Sequence, residues 1–209
     1  MLYVRPNTLD IDCIDAIFNA HIYDRNYRIK HGDTIVDLGA YIGDFTVLAR
    51  SKGARVIAVE PFEDNYNLLI KNCEVNGLDV DLCCFGISDN HDLQVADFFV
   101  NRGNYGACSL TPDTRIENQE VIKIATRTLD DLFDSRYIDH CDLLKFDTEG
   151  EELKYFPAFS YYDRVDRIVG ECQTEEAYNT LKTLFESKGY KVTSYKLNEN
   201  SELVIYANR

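Results

Sequence analysis

The sequence predicts one α/β domain in three layers, with helices on both faces of a mostly parallel sheet and an antiparallel hairpin at its C-terminal end. Three observations carry this reading. Strand-like and helix-like segments alternate from residue 34 onward, the pattern of a sheet covered on its faces. A glycine-containing turn, Asp37-Leu38-Gly39-Ala40-Tyr41-Ile42-Gly43, joins the first strand of that series to its helix, where doubly wound sheets place their ligands. The last two strand-like runs are separated only by the turn residues Asn198–Ser201, which is hairpin spacing. A length of 209 residues suits one domain, and no repeat, low-complexity tract or Pro/Gly/Ser linker marks a boundary.

Each element has a local reason. Residues 1–30 hold one helix, Ile11–Ala20, and an extended segment, HIYDRNYRI, that either caps the sheet edge or covers the ligand cleft. Thr34–Leu38 is a short apolar run of the buried-strand type. Helix follows to Lys52, with Gly53 as its stop. Arg55–Val59 is the second strand and ends at Glu60-Pro61. A helix from Asp64 to Val75 closes at Asn76-Gly77, and Val80–Phe85 is the third strand. Gln94–Val100 and Glu120–Thr126 alternate as strands do. Between them, Asn101–Asn118 is a loop of the length expected of a lid or binding segment. Leu129–Phe133 is a short helix, and Asp142–Phe146 a strand ending in Asp147-Thr148-Glu149-Gly150. Arg167–Gly170 is a strand ending at Glu171. Glu175–Lys188 is amphipathic, with Ala177, Leu181, Leu184 and Phe185 on one face and Gly189 as its stop. Tyr190–Leu197 and Glu202–Ala207 form the hairpin.

Composition narrows the function classes. Twenty-two basic against thirty-six acidic residues give a formal charge of −14. A surface that acidic repels phosphate backbones and anionic lipids, so neither nucleic acid nor membrane is an expected partner. No run approaches the roughly 18 apolar residues that span a bilayer. The N-terminus, MLYVRPNTLDID, lacks the charged and apolar regions of a signal peptide, so the expected location is cytoplasmic. The seven cysteines, at 13, 73, 83, 84, 108, 141 and 172, lack any C-x-x-C spacing and sit mostly in apolar runs such as VDLCCF. Core thiols are expected there, rather than a zinc site or a disulfide framework.

The turn after the first strand carries the strongest chemistry. Gly39 lets the backbone pass beneath a ligand without a Cβ, and Gly43 lets the helix start close to it. Glu60 closes the second strand about 20 residues beyond the first glycine, where a carboxylate accepts both hydroxyls of a ribose. Phe62 is placed to pack on an adenine ring. Two adenosine ligands suit this frame. Dinucleotides call for G-x-G-x-x-G against a pyrophosphate, but the pattern here is D-x-G-x-x-x-G, with Tyr41 at the central position. Asp37 adds negative charge, which suits an ammonium and a sulfonium rather than phosphates. The expected cofactor is therefore S-adenosylmethionine, ahead of a nicotinamide dinucleotide.

The blocks VDLGAYIGDFTVLA, VIAVEPFEDNYNLLIKNCEVNGL, RTLDDL and LLKFDTEGEE resemble successive signature blocks of the FkbM family of S-adenosylmethionine-dependent methyltransferases. The resemblance implies a seven-stranded sheet of the class I methyltransferase type over residues 31–209, in agreement with the strands read above. It also implies methyl transfer, most often to a hydroxyl on a sugar or small-molecule scaffold. By that resemblance Asp37, Gly39 and Gly43, with Ala40 and Tyr41 between them, form the first cofactor motif. Glu60, followed by Pro61 and Phe62, holds the ribose. Tyr41 stands where many family members carry asparagine.

Asp147, Glu149 and Glu171 are the candidate catalytic acids. Asp147 and Glu171 end core strands and point into the cleft that holds Gly39 and Glu60. Orienting the acceptor is the larger task in a displacement, and a carboxylate can also take the hydroxyl proton. Glu149 reads equally as a helix N-terminal carboxylate. A divalent cation on these acids is a possibility that the sequence does not predict, because no histidine accompanies them. The histidines at 21, 31, 91 and 140 read as surface or loop residues. Lys145 faces the same side of the sheet as Asp147, available to pair with one of the acids. The competing classes are a nicotinamide-dependent oxidoreductase, a nucleic-acid methyltransferase, and a non-enzymatic ligand-binding domain of the same fold. The turn DTEG, in place of an Asn/Asp-Pro-Pro-aromatic turn, argues against exocyclic-amine methylation of nucleic acid.

Overall fold

The computed structural model describes residues 1–112, 119–196 and 203–209. The chain begins with α1 (Asp10–Phe18), β1 (Thr34–Leu38), α2 (Asp44–Ser51), β2 (Arg55–Val59) and α3 (Glu63–Val75). Next come β3 (Asp81–Cys83), β4 (Gly86–Ser88), β5 (Val95–Val100), β6 (Glu120–Thr128) and α4 (Leu129–Ser135). The last third holds β7 (Leu143–Phe146), α5 (Glu152–Ala158), β8 (Arg167–Cys172), α6 (Glu175–Ser187), β9 (Lys191–Lys196) and β10 (Leu203–Asn208).

The main sheet has seven strands in the order β3-β2-β1-β7-β8-β10-β9. Pairing is parallel from β3 to β8, and β10 runs antiparallel to both β8 and β9. The expected C-terminal hairpin is therefore present, while its turn residues Asn198–Ser201 lie outside the described residues. Strand residues alternate between two apolar layers. Ile35, Val56, Leu143, Val169, Val204 and Tyr206 pack with α1, α2 and α3. Val36, Ile57, Leu144, Ile168, Ile205 and Ala207 pack with α4, α5 and α6. A period of two along every core strand is what burial on both faces requires.

Helix ends follow their local chemistry. Thr128 and Asp131 form a reciprocal capping box at the start of α4, and the Thr174 hydroxyl accepts from Ala177 N at the start of α6.

Several expectations need correction. The third strand, read as Val80–Phe85, ends at Cys83. After it, β4 joins β6 and β5 in a separate three-stranded sheet. Gly86 makes that crossing possible, since a Cβ there would lie 2.9 Å from Ile124 Cδ1. The first helix spans Asp10–Phe18 rather than Ile11–Ala20. The following segment turns at residues 22–26 instead of running extended, held by Tyr206, whose hydroxyl donates to Ile22 O at 2.6 Å. Helix α5, with Pro157 in its last turn, has no counterpart in the sequence reading.

Candidate active site

Register places the site. Leu38 pairs with Val59 on one side and Phe146 on the other, and Phe146 pairs with Gly170. The next residue on each strand is Glu60, Gly39, Asp147 and Glu171, so these four form one row at the C-terminal edge of the sheet. Neighbouring strands lie about 4.8 Å apart, which puts Asp147 roughly 10 Å from Glu60 along the row. A cavity of about 480 Å3 opens above it, within the range of small-molecule sites.

Gly39, Tyr41, Glu60, Pro61, Asp147, Glu149 and Glu171 line this cavity. Leu9, Cys13, Ile17 and Tyr23 of the N-terminal segment form one wall, and Asn104–Leu110 forms part of another. The N-terminal segment thus covers the cleft, and the described part of the 101–118 loop reaches it; residues 113–118 lie outside the described residues.

A buried network seats the N-terminal wall. Asp10, fully buried, accepts from Arg5 N, Nε and Nη2 and from the Tyr41 hydroxyl. Arg5 also donates to Asn65 Oδ1 at 2.7 Å and lies over the Tyr105 ring. Tyr41 has φ +52°, the left-handed region that asparagine tolerates better than most residues. Here a tyrosine occupies it, and its hydroxyl reaches Asp10.

Four of the expected cofactor residues sit behind the surface of the cavity. Asp37 is fully buried and is not among the residues that line the cavity. Its carboxylate accepts from Thr46 Oγ1 at 2.6 Å and pairs with Lys145 Nζ at 3.1 Å. Asp37 and Lys145 are register partners on adjacent strands, so the pair is set by the sheet itself. Lys145 therefore pairs with Asp37 and also donates to Gly39 O at 2.7 Å. Burial pulls its pKa down, but Asp37, Asp147 and Asp44 outweigh that and hold it above the ordinary lysine value. Phe62 is buried beneath Tyr105, with ring centroids 6.1 Å apart, so Tyr105 rather than Phe62 faces the cavity. Ala40 is core, and Gly43 seats α2 against Leu69. Gly39 has φ +72°, and a Cβ there would lie 1.9 Å from Asp147 O. Its glycine lets the turn meet the end of β7 where it lines the cavity.

Glu60 is almost fully buried and accepts from Tyr41 N and Phe62 N, both at 2.9 Å, and from Asn65 Nδ2 at 3.3 Å. Burial pushes its pKa up to about 7 against those bonds. Asp44, missed in the sequence reading, is 4% exposed, lines the cavity, and is likewise pushed up to about 7 by burial. Glu152, beneath the 147–150 turn, is also raised by burial to about 7. Each of these groups keeps a proton in the folded state between about pH 4.5 and 7, where the unfolded chain has lost it. Stability then falls as pH rises through that window. Each such carboxyl loses about 1.4 kcal/mol of stabilisation for every pH step of one inside it. Ligand-free protein is expected to melt several degrees higher at pH 6 than at pH 8. Thermal melts at the two pH values check this, and a higher melting temperature at pH 8 would contradict it.

Asp147 and Glu171 converge on Tyr23. Its hydroxyl donates to Glu171 Oε1 at 2.6 Å and lies 3.3 Å from Asp147 Oδ2. Glu149 stands in the turn at φ +54°, ahead of α5. Among the described residues, the ligand atoms that converge closely enough for a metal ion belong to His140, Asp142 and Asp166, at the opposite edge of the sheet from the cleft. All seven cysteines are free thiols, and no helix among the described residues is long and apolar enough to cross a membrane.

Residues 37–192 match the model of the methyltransferase FkbM domain. The chain is 27% identical over 179 residues to Methyltransferase 1 of Beauveria bassiana (strain ARSEF 2860), covering 76% of this chain and 72% of that protein. A shorter match, 35% identical over 66 residues, is to a tRNA (guanine(37)-N(1))-methyltransferase of Anopheles gambiae; it covers 32% of this chain and 11% of the relative. Among solved structures, an S-adenosylmethionine-dependent O-methyltransferase of Thermotoga maritima superposes with a TM-score of 0.54 at 13% identity, over all of this chain and 67% of that one.

Proposed function

Because this chain belongs to the methyltransferase FkbM domain family, and is thereby a methyltransferase with S-adenosylmethionine as its methyl donor, we propose that it methylates a hydroxyl of a sugar or other small molecule in the cleft above β1, β2, β7 and β8. The observation that carries this reading is the row of Glu60, Gly39, Asp147 and Glu171 at one register step.

The residues present suit the donor. Glu60 accepts ribose hydroxyls at one end of the row. The near-buried Asp44 carboxylate, at the cavity floor, suits an ammonium group. Pro61, Phe85 and Ile87 supply apolar surface for a flat base. When bound, the donor supplies an electrophilic methyl on a positively charged sulfur. Asp147 and Glu171 orient the acceptor hydroxyl and accept its proton, with Glu149 at the mouth.

The formal charge of −14 supports a small acceptor over a nucleic acid. The alternation of apolar wall residues with carboxylates in the cavity suits a compact, partly polar molecule. Incubation with methyl-labelled S-adenosylmethionine, a panel of sugars, phenols and small alcohols, and bulk tRNA tests the reading. Label is expected in a hydroxyl-bearing small molecule as an alkali-stable ether. Label confined to tRNA would overturn it.

A further inference from the structure

We propose that Tyr23, which precedes the residues matched by the family model, is a positioning residue that couples Asp147 and Glu171 into one proton-accepting unit. The inference rests on the reading that these two acids serve the acceptor. Its own support is geometric.

The Tyr23 oxygen lies 2.6 Å from Glu171 Oε1 and 3.3 Å from Asp147 Oδ2, contacts that span 148 and 124 residues of sequence. Tyr23 is 4% exposed, and its ring meets Phe45 edge-on at 5.5 Å. The Lys145 ammonium lies 5.2 Å from the ring centroid. The backbone beside it is tied to the sheet by the bond from Tyr206 to Ile22. A buried phenol so held has little freedom except to turn its proton between the two carboxylates.

One proton cannot serve both acids as a full hydrogen bond. While Tyr23 donates to Glu171, its oxygen remains able to accept. When a hydroxyl is methylated, its oxygen bonds the methyl carbon, the carbon–sulfur bond breaks with its electron pair left on sulfur, and one proton is released. Asp147 takes that proton and, once protonated, can donate to Tyr23. Tyr23 can in turn release its own proton to Glu171 and keep the one from Asp147. No redox partner is needed, and the charge gained at Asp147 is spread over two acids.

The charged and titratable groups facing Tyr23 are Asp147 just after β7, Glu171 on β8, Asp44 on α2 and Lys145 on β7, with Cys13 of α1 beside the same carboxylates. Burial, with the charges of Asp147 and Glu171, holds the phenol pKa well above its ordinary value. The Cys13 thiol is pushed up to about 12 by burial and stays neutral. Tyr23 therefore remains a donor at neutral pH.

The test is a carbon-13 titration of the Asp147 and Glu171 side-chain carboxyls in the full chain, for wild type and Tyr23→Phe. Loss of a donor to an ionised carboxylate raises its pKa. Both midpoints are expected to rise, by about one to two in pH when the two changes are added, while S-adenosylhomocysteine affinity is unchanged. Midpoints that stay where they are in wild type would overturn the proposal. If Tyr23→Phe does not fold, 3,5-difluorotyrosine placed at position 23 is the second variant. As a stronger donor it is expected to lower both midpoints, and unchanged midpoints overturn the proposal equally. Failure of S-adenosylhomocysteine to bind wild type would count against the function reading alone, because the carboxyl titration needs no ligand.

Discussion

Asp147→Asn is expected to lower turnover by about 10²–10⁴-fold, the usual contribution of a positioned general base. Asparagine keeps the size and part of the hydrogen bonding but cannot take the acceptor's proton. Asp147 stands two strands from Glu60 in the row, so the donor's ribose end does not depend on it. Affinity for S-adenosylhomocysteine is expected to stay within a few fold, and titration with the acceptor found by the labelling screen separates the two effects. Affinity lost together with turnover would place Asp147 at the methionine end of the donor. Unchanged turnover would remove it from the chemistry.

Lys145→Met is expected to have the largest effect on stability. Lys145 is 3% exposed and its partner Asp37 is fully buried. Removing one member of such a pair leaves an uncompensated buried charge, at a cost of about 3–5 kcal/mol. For a chain of this size that corresponds to roughly 10 °C in melting temperature. Asp37→Asn combined with Lys145→Met is expected to recover part of the loss, because no buried charge is then left alone. Melting curves of the single and double variants check both statements. A single variant as stable as wild type would contradict them.

Much of the fold was legible because its causes are local. The short apolar runs of β1, β2 and β7, the stops at Gly53 and Gly189, and the acids that follow strand ends all lie within a few residues of what they mark. Glu60, Asp147 and Glu171 were therefore found from the sequence and do meet at one edge. What the sequence hid depends on distant contacts. Asp37 looks like a ligand-facing carboxylate until β7 brings Lys145 opposite it. Phe62 looks like an adenine platform until Tyr105, more than 40 residues on, covers it. Tyr23 carried no local motif, since its partners lie at the end of β7 and on β8. The break between β3 and β4 was marked only by Gly86, whose meaning comes from Ile124 across the small sheet. Asp44 had no signal in the sequence, and its burial in the cavity lining is what makes it notable.

The central claim is that Glu60 holds the donor's ribose at the edge of the row. Isothermal titration of S-adenosylhomocysteine into wild type and Glu60→Ala tests it most directly. At pH 8, where Glu60 is ionised, loss of hydrogen bonds to its carboxylate is worth about 1.5–3 kcal/mol, so affinity is expected to fall roughly 10- to 150-fold. Equal affinity in the two proteins would contradict the account.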